Sequence, residues 1–324
     1  MCIFRSRVLL VLVSVAACAA EGPRERGAED AVQPGERSAE GRTPKVLIIG
    51  IDGVRPDILA EVPTPNLDAL AELGAYSGDA RTGMPSVSGP GWSSLLIGVW
   101  PEKHGVTDNT FEGKQYERYP DFLTRIEQVR PELSTFAVAD WLPLVGHGDG
   151  GPVISDAVDA KHVLDGYELG WPEADSQSVA LAVEALTGGD PDALFVYLGN
   201  PDETSHEQGS IGEEYRGALA LADRHVGELV AAIRSRPTYP TEDWLILSST
   251  DHGRRADGGH GGDTPEERTI YYLVSGPRAV RGSLEGPIGV VDVAVTALAH
   301  LGIPTDPAWE LDGAVVGLTE ERNR

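Results

Sequence analysis

From residue 45 onward, short uninterrupted apolar runs alternate with amphipathic stretches. The runs KVLIIGI (45–51), TFAVAD (135–140), ALFVYLG (193–199), WLILSST (244–250) and IYYLVSG (270–276) predict strands buried on both faces. Between them, TPNLDALAELG (64–74) reads as a helix with Thr64 as N-cap, Pro65 in the first turn and Gly74 as terminator. Further helical patterns cover 121–129, 176–188, about 211–234 and 291–302. Continuous apolar strands alternating with helices imply an α/β fold, with a mostly parallel central sheet and helices on both faces. No internal repeat and no linker interrupts residues 45–324, which predicts a single domain there.

Parallel α/β sheets bind ligands outside the carboxyl ends of their strands, so the residues that follow each strand carry the information. Asp52 follows the first run, Asp202 and His206 follow ALFVYLGNP, and Asp251 and His252 follow WLILSST. One aspartate after a strand is ordinarily a turn former or a helix cap. Three on one rim of a sheet, two of them with a histidine close by, point to cation coordination. Asp202 and His206 are spaced i, i+4 and would share one face of a helical turn. Gly253 permits a turn that brings Asp251 and His252 inward, and His260 lies in DGGHGG, where glycines let the backbone approach an ion closely. His104, His147, His162, His225 and His300 are read as structural or surface groups. Three aspartates and three histidines exceed the needs of one tetrahedral zinc and suit two borderline cations, an arrangement that clamps the oxygens of a displacement at phosphorus.

The N-terminus alters the picture in a different way. Arg5 and Arg7 precede the apolar run VLLVLVSVAA (8–17), too short to span a bilayer and the right length for a signal sequence. It ends in VAAC, which resembles a bacterial lipobox, so residues 1–18 are expected to act as a lipoprotein signal with Cys18 as the lipidated residue. Residues 19–44, rich in Gly, Pro, Glu and Arg, predict a disordered tether. Cys2 and Cys18 are the only cysteines, so a folded domain beginning at residue 45 has neither disulfide nor thiolate. Lys and Arg total 26 against 51 Asp and Glu, a net charge of −25. That balance argues against nucleic acid or an anionic membrane surface as partner, leaving membrane contact to the lipidated terminus. The implied location is the bacterial periplasm or cell surface, and no protein partner is expected.

The order of IIGIDGVRPD, SGPGWSSLLIGVWPEKHGVTDN, PDETSHEQG and SSTDHG resembles the alkaline phosphatase superfamily, in particular its type I phosphodiesterase/nucleotide pyrophosphatase branch, over roughly residues 45–303. The resemblance implies a nucleophilic Ser88, placed by counting back from IGVWPEKHG, near a helix N-terminus that favours an anion. It also implies one divalent ion held by Asp52, Asp251 and His252 with Ser88 Oγ, and a second held by Asp202, His206 and His260, both zinc in the reading that fits the ligands. The implied reaction is hydrolysis of a small phosphorylated substrate, most of all a phosphodiester, through a covalent phosphoseryl intermediate. The resemblance would place an asparagine three residues after the nucleophile, where this chain has Gly91, so Asn109, Arg254 and Arg255 are the candidate phosphate-binding side chains.

Three alternatives stay open on the sequence. Phosphomonoesterase chemistry would use the same machinery. A sulfatase would need an arginine at position 92, where this chain has Trp92, and would favour a hard ion with oxygen ligands. A surface lipoprotein that binds metal or phosphate without turnover is the third. Trp92, Trp100 and Trp141 could line a pocket, although tryptophan in an apolar stretch is more often core.

Overall fold

The computed structural model describes residues 41–148 and 150–319. The signal segment, Cys18 and most of the expected tether lie outside the described residues. The first strand begins at Thr43, two residues before the folded region expected from the sequence.

Eight strands form one sheet: β1 (Thr43–Ile51), β2 (Gly74–Arg81), β3 (Thr135–Ala139), β4 (Ala160–Val163), β5 (Ala193–Leu198), β6 (Glu242–Ser249), β7 (Thr269–Ser275) and β8 (Gly282–Ser283). Their order is β4-β3-β5-β1-β6-β7-β2-β8. The five strands from β4 to β6 run parallel, with Ile48 opposite Phe195 on one side and Leu247 on the other. β7 is antiparallel to both β6 and β2. The main helices are α1 (Pro65–Leu73), α2 (Ser88–Ile97), α3 (Phe122–Val129), α4 (Trp171–Gly188), α5 (Asn200–Gln208), α6 (Glu213–Ser235) and α7 (Asp292–His300).

The side chains of β1 alternate between two apolar cores, one on each face. Val46 and Ile48 pack with Leu95 of α2, Phe122 of α3 and Leu298 of α7. Leu47 and Ile49 pack with Leu67 of α1, Val179 of α4 and Leu229 of α6. This is the helix-covered, mostly parallel sheet that the sequence pattern predicts.

Two local features differ from the sequence reading. The Thr64 hydroxyl makes no cap bond to the first turn of α1. The orphan amides of Asn66 and Leu67 donate instead to the carboxylate of Asp223 on α6, which caps the helix from across the core. β2 has no counterpart among the predicted strands, because GAYSGDAR is polar and half exposed and pairs near the sheet edge.

Candidate active site

β5, β1 and β6 lie side by side at the centre of the sheet and end on the same rim, and each delivers acidic groups there. Asp52 leaves the end of β1, fully buried. Trp92 Nε1 and Tyr197 OH both donate to its Oδ2, at 2.9 and 2.6 Å, while Oδ1 has no hydrogen-bond partner among the described residues. Asp251 follows β6; its Oδ1 accepts from Gly53 N at 3.3 Å and its Oδ2 is buried and likewise without a hydrogen-bond partner among the described residues. His252 presents Nε2 between them, 3.6 Å from Asp52 Oδ1 and 3.3 Å from Asp251 Oδ2. Its Nδ1 donates to Gly253 O at 2.9 Å, which fixes the tautomer with a lone pair on Nε2.

The second group gathers around Asp202, on the first turn of α5. His206 stands one helical turn on, with Nε2 3.2 Å from Asp202 Oδ2. His260 arrives from the glycine-rich loop after β6, with Nε2 2.9 Å from His206 Nε2 and 3.9 Å from Asp202 Oδ1. Its Nδ1 donates to Ser86 O at 2.9 Å, so it too turns a lone pair toward the cluster. The rings of His252 and His260 stack at 3.7 Å and join the two groups into one centre.

Ligand atoms of Asp52, Asp251 and His252 lie within 4.8 Å of one another, as do those of Asp202, His252 and His260, so a cation fits at each cluster, with His252 common to both and His206 beside Asp202. Two unpartnered carboxylate oxygens facing an imidazole lone pair in a dry pocket are costly alone and are satisfied by a shared ion. Burial, and then the neighbouring Asp52, push the Asp251 carboxyl well above the usual carboxylate range; a bound cation would reverse that balance. Burial lowers His252, and burial together with the adjacent His252 brings His260 down to about 2, so both imidazoles are neutral donors of electron pairs at neutral pH.

Ser88 is the first residue of α2, with Oγ 3.2 Å from His252 Nε2. The amide of Gly89 behind it donates to Asn109 Oδ1 at 2.7 Å, fixing the Asn109 amide beside the serine. A cavity of about 300 Å³ opens over Ser88, lined by Asp52, Asp202, His206, His260 and Asn109, with Trp141, Tyr167, Tyr197 and Glu203 on its walls. Tyr167 OH donates to Glu203 Oε1 at 2.8 Å.

The structure thus brings together Ser88, all six candidate ligands and Asn109. It does not bring Arg254 and Arg255 to the cavity, and the expectation that they bind phosphate is corrected. Arg254 is fully buried and points beneath the site, pairing with Asp202 Oδ1 and donating to Gly53 O, Asp202 O and Gly258 O. Arg255 pairs with Glu267 and Asp257 in the loop. At position 91 a Cβ would sit 2.8 Å from Asp251 O, so the backbone contact that seats Asp251 leaves no room for a side chain.

Of the three tryptophans, Trp92 is core yet serves the site through its bond to Asp52, Trp141 lines the cavity, and Trp100 borders a separate groove. Sequence reasoning missed Tyr197, Tyr167 and Glu203, whose neighbourhood depends on the strand order. It also missed a buried acid pair, Asp140 at the end of β3 and Asp175 on α4. Burial pushes both carboxyls up, Asp140 well above the usual range and Asp175 to about 7. Asp175 Oδ1 accepts from Gly199 N and Asn200 N, at 2.8 and 3.4 Å, at the start of α5.

Comparison with known proteins identifies the family. The model of the type I phosphodiesterase/nucleotide pyrophosphatase family matches residues 46–179 and 155–256. The rat ectonucleotide pyrophosphatase/phosphodiesterase family member 7 is 26% identical over 266 residues, which cover 76% of this chain and 56% of that protein. A bis(5'-adenosyl)-triphosphatase of Xenopus laevis is 24% identical over 68% of this chain and 49% of its own length. The chain spans about half the length of these two relatives and about a quarter of longer ones such as the rat family member 3. Murine ectonucleotide pyrophosphatase/phosphodiesterase 5, solved as an inactive variant with AMP, shares the fold with a TM-score of 0.63 at 15% identity, over 84% of this chain and 97% of its own. A 2-O GAG sulfatase shares it with a TM-score of 0.67 at 15% identity, over 84% and 73%. With the family model matched from residue 46 to residue 256, across all five parallel strands and every candidate ligand but His260, the chain belongs to the type I phosphodiesterase/nucleotide pyrophosphatase family.

Proposed function

We propose that this chain is a metal-dependent phosphoester hydrolase with Ser88 as nucleophile and a preference for phosphodiesters. The observation that carries the reading is the convergence of Ser88, Asn109, Asp52, Asp202, His206 and His260 on one cavity, with Asp251 and His252 clustered against Asp52 beneath it. Asp52, Asp251 and His252 would hold one divalent ion and Asp202, His206 and His260 a second, with zinc the best match to a mixed imidazole and carboxylate set. Bound there, the ions would supply Lewis-acid stabilisation of charge on the attacking and leaving oxygens.

The chain's own groups do the rest. Ser88, held against His252 at the start of α2, is placed for in-line attack, forming an Oγ–P bond as the bond to the leaving oxygen breaks. The α2 N-terminus and the Asn109 amide favour the phosphoryl oxygens. Water then cleaves the phosphoseryl ester and restores the serine. Among the described lining residues there is no Lys or Arg, and Glu203 adds a carboxylate. A monoester dianion finds few partners in such a wall, whereas a diester brings a single negative charge; that difference favours the diester.

Export through the segment ending at Cys18, with a lipid anchor in the periplasm or on the cell surface, completes the proposal. The test of function compares bis(p-nitrophenyl) phosphate, p-nitrophenyl phosphate and p-nitrophenyl sulfate with the purified chain, with added zinc and with chelator. Chelator-sensitive turnover led by the diester is expected. Dominance of the sulfate, or turnover indifferent to metal, would overturn the reading.

A further inference from the structure

Arg254 is a cation sealed beneath one half of a centre otherwise built to bind cations. Its guanidinium is seated by three backbone carbonyls, those of Gly53, Asp202 and Gly258, and lies 5.5 Å over the Tyr215 ring. Gly53 makes room for it: the backbone there has φ +64, and a Cβ would stand 2.1 Å from Arg254 Nη2. Held this way and fully buried, the charge can neither swing aside nor be screened by salt.

The two groups consequently differ in charge. Asp52 and Asp251 contribute two carboxylates around His252, and among the described residues their side-chain hydrogen-bond donors are neutral: the Trp92 indole, the Tyr197 phenol and the Thr250 hydroxyl. Asp202 contributes one carboxylate beside His206 and His260, and its Oδ1 already pairs with Arg254. Glu203 stands on the cavity side, hydrogen-bonded to Tyr167, so even with its charge included the second group is the less negative by one.

Resting on the two-ion reading above, we propose that Arg254 makes the two ion sites unequal, so that the Asp52/Asp251/His252 site fills first and the Asp202/His206/His260 site fills only at higher cation concentration. A buried positive charge paired to one of the second site's own ligands opposes an incoming divalent ion directly. It also holds the Asp202 carboxylate in place while that site is empty, since an unpaired buried carboxylate would otherwise be costly. Arg254 is on this account a positioning residue and an electrostatic brake.

Stepwise zinc titration of the metal-free chain against a chromophoric chelator tests this without requiring turnover. The wild type is expected to take up two ions with dissociation constants at least about tenfold apart. Arg254→Gln, which keeps a donor and removes the charge, is expected to close that gap by tightening the weaker step, and Arg254→Lys to preserve it. His206→Ala should remove the weak step alone and Asp52→Asn the tight one, which keeps the test sharp if the glutamine variant fails to fold. Two steps within about threefold of each other in the wild type, or a gap unchanged in Arg254→Gln, would overturn the proposal. Unequal uptake by a protein that hydrolyses nothing would sink the proposed function and leave the ordering intact; zinc-dependent diester hydrolysis with equal steps would do the reverse.

Discussion

The two ligand groups touch each other through stacked imidazoles but are built from different parts of the fold. The first hangs on the ends of two adjacent central strands, β1 and β6, and Asp52, Asp251 and His252 are all buried. The second hangs on a nine-residue helix and a glycine loop, with the His206 side chain 39% exposed. Strand ends in the middle of a sheet cannot move without disturbing both cores, whereas a short helix at the rim can. The serine lies on the rigid side, and the pairing with Arg254 on the adjustable side. The lesson is that the groups proposed to fix the nucleophile are over-determined by packing, while among those proposed to meet the leaving oxygen His206 is left accessible and Asp202 is buried.

Removing the serine breaks the comparison hardest. Ser88→Ala is expected to lower phosphodiester turnover by about four orders of magnitude or more, with both zinc-binding steps retained, because Asp52, Asp251 and His252 stay in place. Steady-state rates alongside zinc titration check it. Turnover near wild type would mean that water attacks phosphorus directly and that the serine only lines the cavity.

A smaller effect tests the support around the first group. Tyr197 OH and Trp92 Nε1 hold Asp52 Oδ2, leaving Oδ1 to face His252. Tyr197→Phe removes one of the two donors without emptying volume. Zinc affinity at the tight step is expected to fall by about tenfold, in line with outer-shell partners of metal ligands generally, and the weak step to stay unchanged. A shift of the weak step instead would mean that the assignment of the steps to the two groups is reversed.

How much of this centre the sequence carried depends on the reach of each interaction. Asp52, Asp202 and Asp251 were legible because strand periodicity and the carboxyl-end rule are local and place them together without knowledge of the strand order. His206 was legible from its helical spacing, and His260 from its glycine context. Arg254 was misread for the opposite reason: beside two candidate ligands it suggests a hand reaching outward, and the glycine at position 53, in the turn after β1, opens the space that turns it inward. The α1 cap was misread in the same way, since Thr64 is the local candidate and Asp223 lies 157 residues from Asn66, whose amide it receives. β2 was invisible because a polar strand near an edge needs no apolar alternation. The acid pair could not be anticipated, as nothing near Asp140 in sequence announces Asp175.

That acid pair gives the smallest expected effect, and it bears on the adjustable side alone. Asp175 Oδ1 receives the Gly199 and Asn200 amides where β5 turns into α5, the helix that carries Asp202 and His206. Those two donors make Asp175 the more easily ionised partner, and Asp140, whose oxygens otherwise lack partners, the proton donor to it. Asp52 from β1 and Tyr197 from β5 face the pair, and the Asp52 charge pushes both acids further toward protonation. The sign follows from linkage. The folded chain keeps protons that the unfolded chain releases above about pH 3.9, so wild-type stability falls as pH rises from there toward the raised folded values. The loss is up to about 1.4 kcal/mol per pH unit for each retained proton. Asp140→Asn donates the same hydrogen bond without titrating. Its melting temperature, measured against wild type from pH 4.5 to 8 in the metal-free state, is expected to gain steadily on the wild type as pH rises, and the weak zinc step to lose its share of the same pH dependence. Parallel stability curves would show that the two carboxyls do not share a proton, and would leave α5 without the support that sets the second group apart from the first.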